Sequence, residues 1–256
     1  MDKIAIISDI HGCCISLKEV LEDIEKRGIK HIFCLGDLVA KGSHPKEAIE
    51  LIREKCEVVI KGNCDDIVSG ARCTTKEHYW NNEKVGKENA KYLNDLPLYH
   101  DFYMSGLKIR LMHASPDTLY KSINYYKITE KINEDIKNMF NNTEFLNNIN
   151  KDKPDVVIFG HIHSPFMYKI EDGLVVSSGG VSNSCDIVSK NGEEKLMASY
   201  MILEGEYNSK EASSISYEIV RLPFDYKKEI ENLKNSDMPN KEMAIKELQT
   251  GIYVKR

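Results

Sequence analysis

Five short apolar runs in this chain each lead into a segment that carries an acidic, amide or imidazole side chain. The segments are SDIHG at 8–12, LGDL at 35–38, KGNCDD at 61–66, LMHAS at 111–115 and FGHIH at 159–163. A run of consecutive apolar residues is typical of a strand that is buried on both faces, as in a parallel sheet. Open α/β sheets place their ligand-binding residues at the carboxyl ends of the strands. The pattern therefore predicts that one rim of a sheet collects all five segments.

Helical patterns separate the first strands. Between the strands predicted at 4–8 and 31–35, apolar residues recur at helical spacing over 17–24. Pro45 is suited to begin a second helix, and a third short strand follows at 58–60. This alternation of strands and helices predicts parallel pairing with right-handed crossovers.

The rest of the chain shows further strands and three polar helical stretches. The helical patterns cover 64–98, 129–150 and 225–248. Strands are predicted over 99–104, 107–112, 156–159, 166–170, 174–178, 198–204 and 216–222. Because no repeat or linker divides the chain, we expect one domain over 1–256, with 64–98 as a candidate cap-like helical segment and 225–256 as a helical tail.

Charge and cysteine usage limit the partners and the compartment. The net charge of −5 argues against a general nucleic-acid-binding surface, which is normally basic. The seven cysteines lack paired spacing, which favours free thiols in a reducing cytosol. The first ten residues hold only a short apolar run and do not fit a signal peptide. Since no apolar stretch approaches the length of a membrane span, we expect a cytoplasmic protein that does not bind membranes.

The five segments contain seven candidate metal ligands, and four of the eight histidines in the chain are among them. These candidates are Asp9, His11, Asp37, Asn63, His113, His161 and His163. Oxygen and imidazole donors in one cluster suit divalent transition metals. This many donors can hold two ions, the arrangement that enzymes use to hydrolyse phosphate esters. We expect two divalent metal ions, manganese first, with iron, zinc, cobalt or nickel as alternatives.

The ordered set Asp-x-His, Gly-Asp, Gly-Asn-x-Asp, His and Gly-His-x-His resembles the calcineurin-like metallophosphoesterase superfamily over about residues 1–205. The resemblance implies an α/β (α+β) fold of four layers, in which a β-sandwich is flanked by helices. It implies a first metal held by Asp9, His11, Asp37 and His163. It implies a second metal held by Asp37, Asn63, His113 and His161. The implied activity is phosphoester hydrolysis by a hydroxide that bridges the two metals.

One position departs from the pattern of many members, which have His after the asparagine. This chain has Cys64 there, as in the bacterial and archaeal phosphodiesterase-like branch. A thiol with a pKa of about 8.5 donates a proton less readily near neutrality than imidazolium does. Phosphodiesters and phosphoanhydrides, which have better leaving groups, are therefore favoured over serine or threonine phosphates.

Asn63, Cys64 and Asp65 are the candidate catalytic residues beside the metals. Asp65 is expected to orient a neighbouring group. For Cys64, a small apolar side chain that lines the site is an equally good interpretation.

The leading hypothesis is a binuclear metal-dependent phosphodiesterase that acts on a small phosphoester or a nucleotide-derived substrate. Alternatives are a dinucleoside polyphosphate hydrolase or a protein phosphatase. A non-catalytic scaffold, like the retromer subunit that resembles this fold, ranks lower because all seven candidate ligands are present. The remaining histidines are expected to be structural or on the surface. Tyr79, Trp80 and Tyr92 are expected to make core contacts rather than a base-stacking platform.

Overall fold

The computed structural model describes residues 1–70, 72–121, 130–149, 151–183, 187–190 and 193–252. Its strands are β1 Asp2–Ile7, β2 His31–Cys34, β3 Val58–Val59, β4 Tyr99–Met104, β5 Leu107–Met112, β6 Val156–Phe159, β7 Phe166–Ile170, β8 Gly173–Ser177, β9 Ile187–Lys190, β10 Glu193–Gly205 and β11 Ser216–Pro223. Its helices are α1 Cys14–Lys26, α2 Pro45–Lys55, α3 Asn63–Val68, α4 Lys76–Asp95, α5 Glu130–Asn138, α6 Tyr226–Asn235 and α7 Lys241–Thr250.

The described strands form two mixed sheets. The first has the order β11-β10-β1-β2-β3, with β9 paired to β10, and the second has the order β4-β5-β6-β8-β7. Strands β1, β2 and β3 run parallel to each other, and so do β5, β6 and β8. The registers keep the strand ends level: Ile7 lies opposite Cys34 in one sheet, and Met112 lies opposite Phe159 in the other. The loops that follow these strands consequently leave both sheets at one rim.

Alternating side chains of β1 show how the layers stack. Ile4 and Ile6 join a core cluster that also contains Phe102 and Val176 from the second sheet. The side chain of Ile7 points the other way and joins a cluster with residues of α1, α2, α4, α6 and α7. Helix α5 covers the outer face of the second sheet. The order helices, sheet, sheet, helix confirms the expected four-layer fold with a flanked β-sandwich.

The predicted C-terminal helix over 225–248 is interrupted, because α6 and α7 are separate helices. The break contains Pro239, which has no backbone N–H to donate and disfavours helical geometry at the residue before it. Asn240 follows with a left-handed φ of 52°. The tail is therefore helical, as expected, but turns back on itself.

The two other helical predictions also need correction. The helix predicted over 129–150 ends at Asn138, and its first and last residues lie outside the described part of the chain. Beyond it, the side chain of Asn148 accepts from the backbone N–H of Thr143, which replaces a helical hydrogen bond. The stretch 64–98 is divided between α3 and α4, and α4 is kinked at Gly86, whose φ is 75°.

Helix α4 packs inward through Val85, Ala90 and Leu93, which belong to the same core cluster as α1 and α2.

The cap role of 64–98 and the single-domain organisation stay predictions. None of the described helices is both long enough and apolar enough to cross a membrane.

Candidate metal centre

The structure brings the seven predicted ligands together at the shared rim of the two sheets. Asp9 follows β1, Asp37 follows β2 and Asn63 follows β3, all from the first sheet. His113 directly follows β5, and His161 follows β6, both from the second sheet. The parallel strands of both sheets thus supply the centre, as the positions of the apolar runs predicted.

Most of these side chains stand on strained backbone. Left-handed φ angles occur at five of the seven candidate ligands, namely Asp9 at 56°, His11 at 54°, Asp37 at 54°, His161 at 68° and His163 at 58°. Such conformations cost non-glycine residues about 1–3 kcal/mol each and persist only where the surroundings enforce them. Two backbone hydrogen bonds that enforce them here run from Asp9 N–H to the Gly36 carbonyl at 3.0 Å and from His11 N–H to the Asp37 carbonyl at 2.8 Å.

Two glycines permit the close approach of the loops. A Cβ atom on Gly62 would overlap the backbone nitrogen and the carboxylate of Asp37. A Cβ atom on Gly160 would overlap the Ser8 hydroxyl and approach the Asp9 carboxylate. The Gly-Asn and Gly-His pairs of the sequence therefore reflect contacts between loops as well as turn geometry.

One group of donor atoms is formed by Asp9, His11 and His163. The Nδ1–H groups of the two imidazoles donate to backbone carbonyls, His11 to Val39 at 3.1 Å and His163 to Asn183 at 3.0 Å. In the neutral form of each ring Nε2 carries the lone pair, and the two Nε2 atoms are only 3.0 Å apart.

A cation would fit between these facing atoms. Burial, with the charge of Lys41, holds the pKa of His11 well below its ordinary value, which disfavours an imidazolium hydrogen bond to His163. Asp9 Oδ1 lies 3.3 Å from His163 Nε2. This oxygen is buried and receives no hydrogen bond from the described residues. A cation would satisfy all three facing atoms at once.

A second group is formed by Asn63, His113 and His161. His113 Nδ1–H donates to the Leu35 carbonyl at 2.8 Å, and its Nε2 lies 2.9 Å from Asn63 Oδ1. His161 Nδ1 is 2.8 Å from the same oxygen. The Asn63 amide NH2 is turned away and donates to Cys64 Sγ at 3.5 Å. In the tautomers that place lone pairs on His113 Nε2 and His161 Nδ1, electron-pair donors face each other here too, as they do around a cation.

Asp37 lies between the two groups. Its Oδ2 is 3.7 Å from His11 Nε2, and its Oδ1 is 3.5 Å from His113 Nε2. The backbone N–H of Cys64 donates to Oδ1 at 2.7 Å and fixes the carboxylate plane. One carboxylate oxygen thus faces each group, which is the placement that a bridging ligand needs.

The electrostatics of the centre favour positive ions. Burial opposes ionisation of Asp9, but the nearby imidazoles, led by His163, outweigh it and hold the pKa of Asp9 well below its usual value. Burial, with the charge of Asp9, raises the pKa of Asp37. Burial lowers the pKa of His161 to about 3, whereas the charges of Asp37 and Asp9 outweigh burial and raise the pKa of His113. Side chains of these types bind metals when the imidazole is neutral and the carboxylates are ionised.

Asp65 and Cys64 lie beside the donor groups. The fully buried Asp65 carboxylate accepts backbone N–H groups from Asp37 at 2.8 Å, Leu38 at 2.9 Å and Gly62 at 2.9 Å. Burial and the Asp37 charge raise its pKa to about 7. Cys64 Sγ lies within 4.8 Å of ligand atoms of His11 and Asp37, and burial raises its pKa well above the ordinary value.

The four remaining histidines belong to none of the candidate metal-ligand groups of the described residues and have other contacts. His31 Nδ1 is 2.6 Å from Glu57, and His44 Nδ1 is 2.8 Å from the Ser43 hydroxyl. His78 Nδ1 accepts from the Thr74 N–H at 3.3 Å, and His100 packs beside Phe33.

Of the three aromatic residues of α4, two follow expectation. Trp80 and Tyr92 pack against the core, whereas the side chain of Tyr79 is exposed, contrary to prediction. A helix presents only part of its surface to the core, and Tyr79 faces solvent.

The motifs did not reveal three buried residues around the centre. Lys41 lies four residues after Asp37, and Ser182 and Asn183 follow β8. Ser182 donates from its N–H and its hydroxyl to the Asp9 carbonyl, each at 3.1 Å. For Ser182 and Asn183, the sequence feature that indicates a loop near the centre is the glycine-rich segment SSGGVSN at 177–183, which follows an apolar run.

Comparisons with known proteins agree with this geometry. The model of the calcineurin-like phosphoesterase family matches residues 2–165. An uncharacterised protein of Methanocaldococcus jannaschii, MJ0912, is 31% identical over 258 residues, which cover 92% of this chain and 93% of that protein.

Two solved structures share the fold. A metallophosphoesterase from Sphaerobacter thermophilus is 20% identical with a TM-score of 0.70, covering 98% of this chain and all of its own. The hypothetical protein PH1004 from Pyrococcus horikoshii OT3 is 18% identical with a TM-score of 0.75, covering 99% of this chain and all of its own. The family match spans the strand-end segments from Asp9 to His163, and this chain belongs to the calcineurin-like phosphoesterase family.

Proposed function

We propose that this protein is a binuclear metal-dependent phosphodiesterase that hydrolyses a small phosphoester or a nucleotide-derived substrate. The observation that carries the proposal is the convergence of two groups of facing electron-pair donors on either side of Asp37. A family that hydrolyses phosphoesters supplies the reaction class.

The donor set fits two divalent ions. Asp9, His11 and His163 would hold one ion, and Asn63, His113 and His161 would hold the other, with Asp37 shared between them. Mixed nitrogen and oxygen donors suit manganese first, with iron, zinc, cobalt or nickel as alternatives. When bound, such ions supply Lewis acidity, which activates water as a nucleophile and balances the charge of the phosphoryl group.

The chain's own residues position the parts of this centre. Backbone carbonyls fix the imidazole tautomers so that lone pairs face inward. Asp65 acts by positioning, since its carboxylate joins the loop of Asp37 to that of Asn63. Asn63 presents its amide oxygen to both His113 and His161.

Cys64 directs the proposal towards diesters. It occupies the position where many family members carry a histidine that assists the leaving group. A thiol protonates a departing alkoxide poorly near neutrality. Substrates whose leaving group needs no such help, as in activated diesters or anhydrides, are the better match.

A substrate panel tests this proposal. The protein is assayed with Mn²⁺, Co²⁺ and Zn²⁺ against a bis-aryl phosphodiester, cyclic nucleotides, diadenosine tetraphosphate, an alkyl phosphomonoester and a phosphopeptide. We expect metal-dependent hydrolysis of the diesters to exceed that of the alkyl monoester. Preference for diadenosine tetraphosphate would favour a dinucleoside polyphosphate hydrolase, and preference for the phosphopeptide a protein phosphatase.

The absence of both metal binding and hydrolysis would favour the scaffold function.

We further propose a cytoplasmic setting, because Cys13, Cys14, Cys34, Cys56, Cys64 and Cys73 are all free thiols. The acidic net charge of −5 supports a small-molecule partner over nucleic acid in general.

A further inference from the structure

A buried carboxylate on the C-terminal helix α7 reaches the edge of the metal centre. Glu247 is 4% exposed, and its Oε2 lies 3.4 Å from Lys41 Nζ. The same oxygen accepts a hydrogen bond from Asn183 Nδ2 at 3.4 Å. Lys41 and Asn183 are themselves buried, at 7% and 4% exposure. Three polar side chains from distant parts of the sequence therefore meet away from solvent.

Lys41 belongs to the loop that holds His11. The Val39 carbonyl of this loop accepts from His11 Nδ1, and the Gly42 N–H donates to the His11 carbonyl at 2.6 Å. Lys41 itself has a left-handed φ of 48°, so the conformation of this loop is strained at the point that Glu247 contacts.

Asn183 belongs to the loop that holds His163 and Asp9. Its carbonyl accepts from His163 Nδ1 at 3.0 Å. The preceding Ser182 donates twice to the carbonyl of Asp9. Glu247 therefore connects the two loops whose carbonyls orient His11 and His163, the imidazoles whose Nε2 atoms face each other at 3.0 Å.

We propose that Glu247 is a positioning residue for the ion held by Asp9, His11 and His163. This inference rests on the proposed function, because it presupposes that an ion binds there. It adds a residue of α7, which lies outside the residues 2–165 that the family model matches.

Glu247 acts in two ways. It keeps the two carbonyl-bearing loops at a fixed separation, and partners of this kind typically change metal affinity by about 10–100-fold when they are removed. It also balances the buried ammonium of Lys41. Loss of the carboxylate would remove a negative charge from beside this ammonium and make the surroundings of the cation site more positive.

Calorimetric titration with Mn²⁺, repeated with Co²⁺ and its visible absorption spectrum, tests the inference on four proteins. These are the wild type, Glu247→Ala, Glu247→Gln and the control Glu242→Ala, whose side chain is exposed on the same helix. We expect Glu247→Ala to weaken one of two binding steps by about 10–100-fold. The other step, which depends on Asn63, His113 and His161, should change little.

The conservative variant separates positioning from general damage. Glu247→Gln retains an oxygen that can accept from Asn183 but loses the charge, so we expect an intermediate affinity at the same step. Glu242→Ala should match the wild type. If Glu247→Ala does not fold, Glu247→Gln tests the inference alone: we expect it to weaken the binding step that depends on Asp9, His11 and His163 and to leave the other step unchanged.

Two results would overturn the inference and leave the proposed function intact. One is unchanged affinity at both steps in the Glu247 variants. The other is equal weakening of both steps together with a lowered melting temperature, which would indicate a general structural role. A wild-type protein that binds no divalent ion would instead remove the proposed function and this inference together.

Discussion

Replacing Asp65 by Asn perturbs the residue that joins two ligand loops. The carboxylate accepts three backbone N–H groups: Oδ2 accepts from Asp37 and Gly62, and Oδ1 accepts from Leu38. An asparagine amide offers one oxygen in place of two. The amide oxygen can still accept from the N–H groups of Asp37 and Gly62. The amide NH2 group then faces the Leu38 N–H, so two donors meet and the Leu38 N–H has no acceptor there.

The structure sets the size of the effect. One buried N–H without an acceptor costs about 1–3 kcal/mol. The two retained hydrogen bonds lose the charge of their acceptor, which removes about 1 kcal/mol from each. Relief of the buried charge beside Asp37 offsets part of this sum. We expect a net loss of about 2 kcal/mol in the free energy of unfolding, or about 4–8 °C in melting temperature for a chain of this size.

The assay is denaturant unfolding at pH 8, where the carboxyl group, with a pKa of about 7, is mainly ionised. The neighbouring Asp66→Asn is the matched control. Asp66 accepts from the Tyr120 hydroxyl nearer the surface, where such bonds contribute about 0.5–1.5 kcal/mol. Equal stability of Asp65→Asn and the wild type would refute the argument that this carboxylate holds the loops together.

Two further substitutions probe leaving-group chemistry and buried charge. Cys64→His is expected to raise the rate on an alkyl phosphomonoester relative to a bis-aryl diester by about tenfold or more, because imidazolium protonates the leaving oxygen. An unchanged ratio of the two rates in steady-state assays would count against a leaving-group role for position 64. Glu229 is fully buried on α6, and burial raises its pKa from 4.5 to about 7. The folded state thus keeps a proton that the unfolded chain loses, so stability should fall as pH rises from about 4.5 to 7, by at most about 3 kcal/mol. Glu229→Gln should flatten this slope in unfolding measurements at pH 5 and pH 8, and retention of the full slope would exclude Glu229 as its source.

The sequence predicted the parts of the fold that depend on local pattern. Apolar runs located β1, β2, β5 and β6, and the polar residues after them located one rim of the sandwich. Buried parallel strands have this signature because both of their faces need apolar side chains.

Other features depend on contacts between residues far apart in sequence. The left-handed backbone of Asp9 and Asp37 is enforced by hydrogen bonds between loops, and no local propensity reveals it. Likewise, nothing near Glu247 in the sequence indicates that it contacts Lys41 and Asn183. Pro239 is the one local feature that favours the break before α7, whereas the residues on either side of it have a helical pattern.

The most direct measurement of the central claim is the number of Mn²⁺ ions bound per chain by the wild type and by Asp37→Asn. Because one Asp37 oxygen faces each donor group, the account predicts two ions in the wild type and weakening of both binding steps in the variant. The paired loss follows from removing one negative charge shared by two cations. A wild type that binds a single ion, or a variant in which either step keeps its full affinity, would contradict the shared site.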